Sequence, residues 1–121
     1  MHIQFAELPV VDQDRAKRFY AENFGCEAVA DAPMAPDGWR WIEMALPGAQ
    51  TTLHFIRRAA ALPDDVPAFV LVTADVPAIV ESLKSRGVTI LTEAHRPAWQ
   101  PNRVVAEFQD SEGNRIMLGS A

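Results

Sequence analysis

The chain has one cysteine, no cluster of basic residues and no long hydrophobic run. Its 121 residues carry 11 Lys and Arg against 16 Asp and Glu, a net charge of -5. Without clustered basic residues, we expect neither a nucleic-acid partner nor a membrane partner. The lone Cys26 excludes an internal disulfide, and the strongest apolar run, residues 68–72, is far too short to span a bilayer. The start lacks a basic and apolar leader, so a cytoplasmic location is expected.

The signatures of several common enzyme classes are missing as well. The sequence contains no serine nucleophile elbow, no glycine-rich phosphate loop and no paired-cysteine metal motif. It does contain ample material for a core, because 49% of its residues are hydrophobic. A chain of this length can form one compact domain, or two small halves that share a core.

The clearest local pattern is a hairpin near the end, residues 108–118. Two strand-like stretches flank a tight polar turn. Asp110 and Ser111 can bond their own backbone, while Gly113 and Asn114 tolerate a left-handed conformation. A hairpin alone is only marginally stable, so this one must pack against other elements.

The order of elements that precedes the hairpin occurs twice. Asp12 and Asp75 are suitable N-caps, each followed by an apolar stripe at helical spacing and then by Gly25 or Gly87 as the C-cap. The predicted strands span residues 3–10, 26–30, 39–46, 51–57, 68–73, 88–92, 103–109 and 115–118. The N-caps lie 63 positions apart, which predicts two βαβββ modules. Module one spans residues 1–58 and module two spans residues 68–121. Residues 59–67 form the connector between them.

This arrangement resembles the vicinal oxygen chelate superfamily, which includes glyoxalase I, bleomycin-resistance proteins, fosfomycin-resistance enzymes and extradiol dioxygenases. The matching segments are Val10-Val11-Asp12 with Phe19-Tyr20 and Phe24-Gly25, Asp75-Val76 with Leu83 and Gly87, and Phe108 to Leu118. The hairpin is similar to the family's Phe-x-Asp-Pro-x-Gly-Asn-x-Ile-x-Leu, with Ser111 in place of proline. The resemblance implies an α+β fold, in which two βαβββ modules form a curved mixed β-sheet cavity with flanking helices.

Alternation along the strands predicts which side chains face the helices and which face the cavity. Those expected to face the helices include Ala6, Leu8, Val10, Ile42, Met44, Leu53, Phe55, Ala68, Val70, Val72, Ala106, Phe108, Ile116 and Leu118. Those expected to face the cavity include Phe5, Glu7, Trp39, Trp41, Glu43, Thr52, His54, Phe69, Leu71, Arg103, Glu107, Arg115 and Met117. A slip of one residue in any strand would invert its set.

Metal-dependent members of the superfamily place one ligand in the first and last strand of each module. The resemblance transfers these positions to Phe5, His54, Phe69 and Met117. Phenylalanine has no lone pair, and a thioether is a poor ligand for Mg, Mn, Zn or Fe(II). Only His54 could bind such an ion, so we predict no cofactor and disfavour a divalent metal at this site.

The favoured function is therefore metal-independent binding of a small hydrophobic or aromatic organic molecule in the sheet cavity, by a homodimer. The ligand-binding candidates are Phe5, Trp41, Phe69, Leu71, Trp99, Arg103, Glu107 and Met117. His54, Glu7 and Glu43 are the catalytic candidates. An imidazole can move protons, and two carboxylates can share one in an apolar site. His54 could instead be a half-buried histidine bonded to a neighbour, and for both glutamates ordinary salt bridges with Arg103 or Arg115 are favoured.

Two other functions remain open from the sequence. One is a metal-dependent lyase, isomerase or dioxygenase with displaced ligands, such as His54 together with Glu7, Glu43 or Glu107. The other is a non-catalytic module used for dimerisation. Analysis of bound metal and of ligand-induced stabilisation distinguishes these two functions from metal-independent ligand binding.

Overall fold

The order of elements along the chain is strand, helix and three strands, and it occurs twice. A computed structural model describes residues 1–60 and 65–121, and within them it contains eight strands and two helices. The elements are β1 Phe5–Val10, α1 Gln13–Phe24, β2 Glu27–Pro33, β3 Arg40–Ala45, β4 Thr52–Arg57, β5 Pro67–Val72, α2 Val76–Ser85, β6 Ile90–His95, β7 Val105–Gln109 and β8 Arg115–Gly119. The predicted α+β fold with two βαβββ modules is confirmed.

The chain divides into unit one, Met1–Ala61, and unit two, Leu62–Ala121. The boundary between them falls inside the predicted connector, residues 59–67. Residues 61–64 of that connector lie outside the described residues. In the described part of the chain, neither helix is long and apolar enough to cross a membrane.

Both helices begin at their predicted aspartate N-caps and α1 ends at Gly25 as predicted, whereas the C-cap of α2 is Arg86, one residue before the predicted Gly87. The Asp12 carboxylate accepts a hydrogen bond from the Arg15 amide at 3.0 Å, and the chain leaves α1 through Gly25 with φ 67°. Asp75 caps α2 in the same way, at 3.0 Å from the Ala78 amide. These carboxylates satisfy amides that the first helical turn leaves without a partner.

The sheet of unit one has the strand order β1-β4-β3-β2, with β1 parallel to β4 and the other neighbours antiparallel. The side chains predicted to face α1 are buried in β1, β3 and β4. They are Leu8, Val10, Ile42, Met44, Leu53 and Phe55. Tyr20 of α1 is fully buried, and its ring centroid lies 6.4 Å from that of Phe55. The predicted register of these strands is therefore confirmed.

A side-chain amide joins the start of α1 to the start of β3. Gln13 is buried, its Nε2 donates to the Arg40 carbonyl at 2.6 Å, and its Oε1 accepts from the Arg40 amide at 3.0 Å. The Arg40 guanidinium contacts Asp14 and Asp31, at 2.8 Å each. Hydrogen bonds from this guanidinium lower the pKa of both carboxyl groups.

The sheet of unit two has the order β5-β8-β7-β6, and it corrects the predicted register of β5. Leu71 lies opposite Leu118, which is buried, whereas Val70 lies opposite Met117. Residues opposite each other on neighbouring strands share a face, so the prediction that Val70 and Val72 face the helix is wrong. They are 44% and 65% exposed. The cause is an irregularity in the β5–β8 pairing between Pro67 and Val70.

The closing hairpin forms at the predicted turn. One oxygen of Asp110 accepts the backbone amides of Glu112 and Asn114, at 2.9 and 2.8 Å. Its other oxygen accepts from the Asn114 side-chain amide at 3.1 Å. Gly113 has φ 85°, the left-handed conformation that the turn requires. Beyond the turn, Phe108 and Ile116 pair across β7 and β8, and both are fully buried.

Candidate functional site

A row of polar side chains crosses unit one's sheet on the face opposite α1. Glu7 of β1 lies opposite His54 of β4, and His54 in turn lies opposite Glu43 of β3. Because directly opposite residues on neighbouring strands point to the same face, the imidazole stands between two carboxylates.

The contact between Glu7 and His54 is short and specific. His54 Nδ1 lies 2.8 Å from Glu7 Oε2. The His54 residue is 6% exposed, while the Glu7 side chain is 44% exposed. Within the described residues, the buried His54 Nε2 has no hydrogen-bond partner. An unpaired polar atom in a protein interior costs about 1–3 kcal/mol, so this nitrogen is an expensive feature of the fold.

Two aromatic rings pack against the imidazole. The Trp41 ring stacks on His54 with centroids 3.8 Å apart and an interplanar angle of 29°. Phe5 lies 5.0 Å from the imidazole centroid and meets Trp41 edge-on at 5.9 Å. These rings explain why a histidine on the face away from the helix is nevertheless buried. Phe5, Glu7, Trp41, Glu43 and His54 together are called the His54 site below.

Glu43 supports the tryptophan. Its Oε1 accepts from Trp41 Nε1 at 2.9 Å, and its Oε2 accepts from the Thr52 hydroxyl at 3.1 Å. Glu7 and Glu43 do not form the proton-sharing pair that the sequence left open as one possibility. The His54 strand separates them by two strand spacings, about 9.5 Å, and each carboxylate has its own donor. The alternation pattern placed Thr52 on this face but gave no sign of its role.

Trp39 lies outside the His54 site, although it was expected on the same face. It precedes the first residue of β3, and the Arg57 guanidinium lies over its ring at 4.7 Å from the centroid. The same guanidinium pairs with Asp37 at 2.6 Å. A tight turn and a cation–π contact therefore hold Trp39 at the rim of an open cavity of about 430 Å³, lined also by residues 11–14.

The remaining ligand-binding candidates belong to unit two. Met117 lies between Val70 and Glu107 in the register of that sheet. Glu107 forms a salt bridge with Arg115. Leu71 shares the face of buried Leu118, so its predicted position on the cavity face is wrong. The cause is again the irregularity in the pairing of β5 with β8.

Three more candidates have different surroundings. Phe69 is half-buried beside the β5 irregularity. Trp99 is 72% exposed in the loop after β6. Arg103 precedes β7, and its Nε donates to the Ser120 carbonyl at 2.9 Å. Its guanidinium lies so close to Gly119 that a Cβ atom there would overlap it, so Gly119 permits this position.

The donor set does not suit the family's divalent metal. Of the four transferred positions, Phe5, His54, Phe69 and Met117, only His54 carries a nitrogen or oxygen donor in its side chain. In residues 1–60 and 65–121, no three His, Cys, Asp or Glu residues form a group that could hold a metal ion. Of the displaced ligands considered from the sequence, Glu7 binds His54, Glu43 binds Trp41 and Glu107 binds Arg115.

Comparison with known proteins gives a consistent result. The model of the Glyoxalase/Bleomycin resistance protein/Dioxygenase superfamily matches residues 2–118. YetH, an uncharacterized protein of Bacillus subtilis (strain 168), is 32% identical over 111 residues, which cover 90% of this chain and 89% of YetH.

Two solved structures share the fold along almost the whole chain. TnmS3, an antibiotic binding protein from Streptomyces sp. CB03234, is 34% identical with a TM-score of 0.80, and the match covers 99% of this chain and 95% of TnmS3. A superfamily member from Sphaerobacter thermophilus DSM 20745 is 26% identical with a TM-score of 0.84, covering 100% and 98% of the two chains. The chain belongs to the Glyoxalase/Bleomycin resistance protein/Dioxygenase superfamily, as the resemblance of its helix caps and closing hairpin predicted.

Proposed function

We propose that the protein binds a small aromatic or hydrophobic organic molecule at the His54 site, without a resident metal. The observation that carries the proposal is the buried imidazole with an unpaired Nε2. Buried polar atoms in folded proteins are nearly always hydrogen-bonded, and each exception calls for a cause such as strain, a catalytic role or a bound water or ion. A ligand that bonds to this nitrogen would remove the cost of leaving it unpaired.

The aromatic neighbours of His54 indicate the chemistry of the ligand. Trp41 and Phe5 provide flat apolar surface, and Glu43 fixes the orientation of the indole. Sites for organic molecules combine such apolar surface with a few oriented polar groups. The similarity to TnmS3, an antibiotic binding protein, supports a binding function of this kind.

The test is binding of a panel of aromatic compounds, measured by calorimetry and by the shift in melting temperature. A ligand at a hundred times its Kd stabilises a protein by about 2.7 kcal/mol, which is easily measured. Binding should weaken at least about tenfold in His54→Gln and in Trp41→Leu. It should persist in the matched control His95→Gln, since His95 is exposed and bonds the Glu93 carbonyl. If no compound binds, or if both site variants bind like the wild type, the proposal is wrong.

The metal-independent part of the proposal rests on the donor chemistry of the four family positions. Elemental analysis of the purified protein, before and after treatment with a chelator, tests it separately. We expect less than one equivalent of any divalent metal, and unchanged ligand affinity after chelation. A stoichiometric metal that is needed for ligand binding would favour the displaced-ligand enzyme instead.

The homodimer and the cytoplasmic location stay predictions. Light scattering coupled to size-exclusion chromatography measures the first. A stable dimer that binds no member of the ligand panel would instead favour the non-catalytic dimerisation module.

A further inference from the structure

The Glu7 contact determines which nitrogen of His54 carries the proton. An ionised carboxylate only accepts hydrogen bonds, so Nδ1, at 2.8 Å from Glu7 Oε2, must be the protonated nitrogen. In a neutral imidazole the other nitrogen then has a lone pair and no hydrogen. A doubly protonated ring would bury a charged N–H at Nε2 without an acceptor, which is the more costly arrangement.

We propose that His54 Nε2 accepts a hydrogen bond from an acidic hydroxyl group, and that the ligand is therefore a hydroxylated aromatic molecule of the phenol class. This inference rests on the proposed function and narrows it. A lone pair in a buried position selects a donor, and Trp41 and Phe5 select a flat ring next to that donor. A phenol combines both features within one small molecule.

The same geometry allows the proton to move. If the phenolic O–H bond breaks, its proton forms the N–H bond at Nε2, and the electron pair remains on the phenolate oxygen. The resulting imidazolium keeps its Nδ1–H bond to the Glu7 carboxylate, whose negative charge offsets the new positive charge. Glu7 is thus a positioning residue, since it fixes the tautomer of His54 and does not need to touch the ligand.

The inference makes a sharp distinction between a phenol and its methyl ether. The ether has the same ring and nearly the same shape, but it has no hydrogen to donate, and binding it would leave Nε2 unpaired. Sites built around a specific hydrogen bond reject analogues that lack it by at least about tenfold. A simple hydrophobic patch would instead bind the slightly more apolar ether as well as or better than the phenol.

The experiment uses matched probes, 4-nitrophenol with 4-nitroanisole and 2-naphthol with 2-methoxynaphthalene. Calorimetry should show the wild type binding each hydroxyl compound at least about tenfold more tightly than its ether. In His54→Phe, which keeps a ring but has no lone pair, this preference should fall to about one while the ethers still bind. Equal binding of phenol and ether to the wild type overturns the inference and leaves the proposed function standing. If neither compound of either pair binds, the proposed function fails, and the inference fails with it.

A second measurement needs no ligand. In nitrogen NMR of histidine-labelled protein, the His54 signals should show a pyrrole-like Nδ1 and a pyridine-like Nε2, with exposed His95 as an internal reference. Glu7→Gln should weaken this tautomer preference, and it should also reduce the phenolate absorbance of bound 4-nitrophenol. A merely structural Glu7 would change stability but neither spectrum. A pyrrole-like Nε2 in the free wild type would overturn the inference directly.

Discussion

Replacement of His54 by leucine separates a functional histidine from a structural one. The change removes the unpaired Nε2 from the interior, which recovers about 1–3 kcal/mol. It also removes the bond to Glu7, at a cost of about 1 kcal/mol, because that carboxylate is 44% exposed and water can replace the imidazole. The lost stacking on Trp41 costs about 0.5–1.5 kcal/mol. We therefore expect the free energy of unfolding to change by no more than about 1.5 kcal/mol.

Urea denaturation of the purified variants, followed by circular dichroism, measures this difference. Two controls bracket the result. Phe55→Ala, one residue along β4 and fully buried on the opposite face, should lose about 3–5 kcal/mol. His95→Leu, at an exposed position, should stay within about 0.5 kcal/mol of the wild type.

The reasoning is refuted if His54→Leu loses about as much stability as Phe55→Ala. That result would make His54 an ordinary core residue whose bond to Glu7 holds the sheet together. The expected result is a variant whose free energy of unfolding stays within about 1.5 kcal/mol of the wild type but which binds hydroxylated aromatic compounds at least about tenfold more weakly.

Other parts of the chain give independent predictions. Asp110→Ala should lower the free energy of unfolding by about 2–4 kcal/mol, measured with urea, because one carboxylate accepts three hydrogen bonds in a buried turn; a loss below 1 kcal/mol would contradict this. Burial raises the pKa of the Cys26 thiol to about 11, so a thiol reagent at pH 8 should label it only after denaturation, and rapid labelling of the native protein would be the contrary result. A hydrogen bond from Arg57 lowers the pKa of Asp37 to about 2. The unfolded-state pKa is higher, so this carboxylate contributes stability above about pH 4 that is lost as the pH falls toward 2. Arg57→Gln should make the acid dependence of the urea midpoint shallower, and an unchanged slope would exclude this assignment.

Local chemistry made much of the fold predictable. An aspartate before an apolar stripe and a glycine after it specify both helices, because the atoms involved lie within a few residues of each other. The turn around Asp110 is equally local. Alternation was sufficient for β1, β3 and β4, where pairing is regular, and it placed Phe5, Glu7 and His54 on one face.

The rest depended on relations between distant segments. The β5 register failed because an irregularity near Pro67 changes which residues oppose β8, and alternation carries no sign of it. The partner of Glu43 could not be predicted from the sequence. Whether Glu43 meets Glu7 or Trp41 depends on the order of the strands in the sheet. The sequence allowed a half-buried His54 bonded to a neighbour, as its bond to Glu7 shows, but its nearly complete burial could not be predicted because it depends on a tryptophan from the adjacent strand.

The Gln13 side-chain amide bonds both the backbone amide and the backbone carbonyl of Arg40, as the backbone of a neighbouring strand would. Arg40 directly precedes Trp41, whose ring lies on the imidazole. One peptide unit and two hydrogen bonds therefore link the indole to the opening turn of α1. We expect a molecule that tilts the indole to pull on that turn, so amide exchange at the start of α1 should change when the proposed ligand binds on the other side of the sheet.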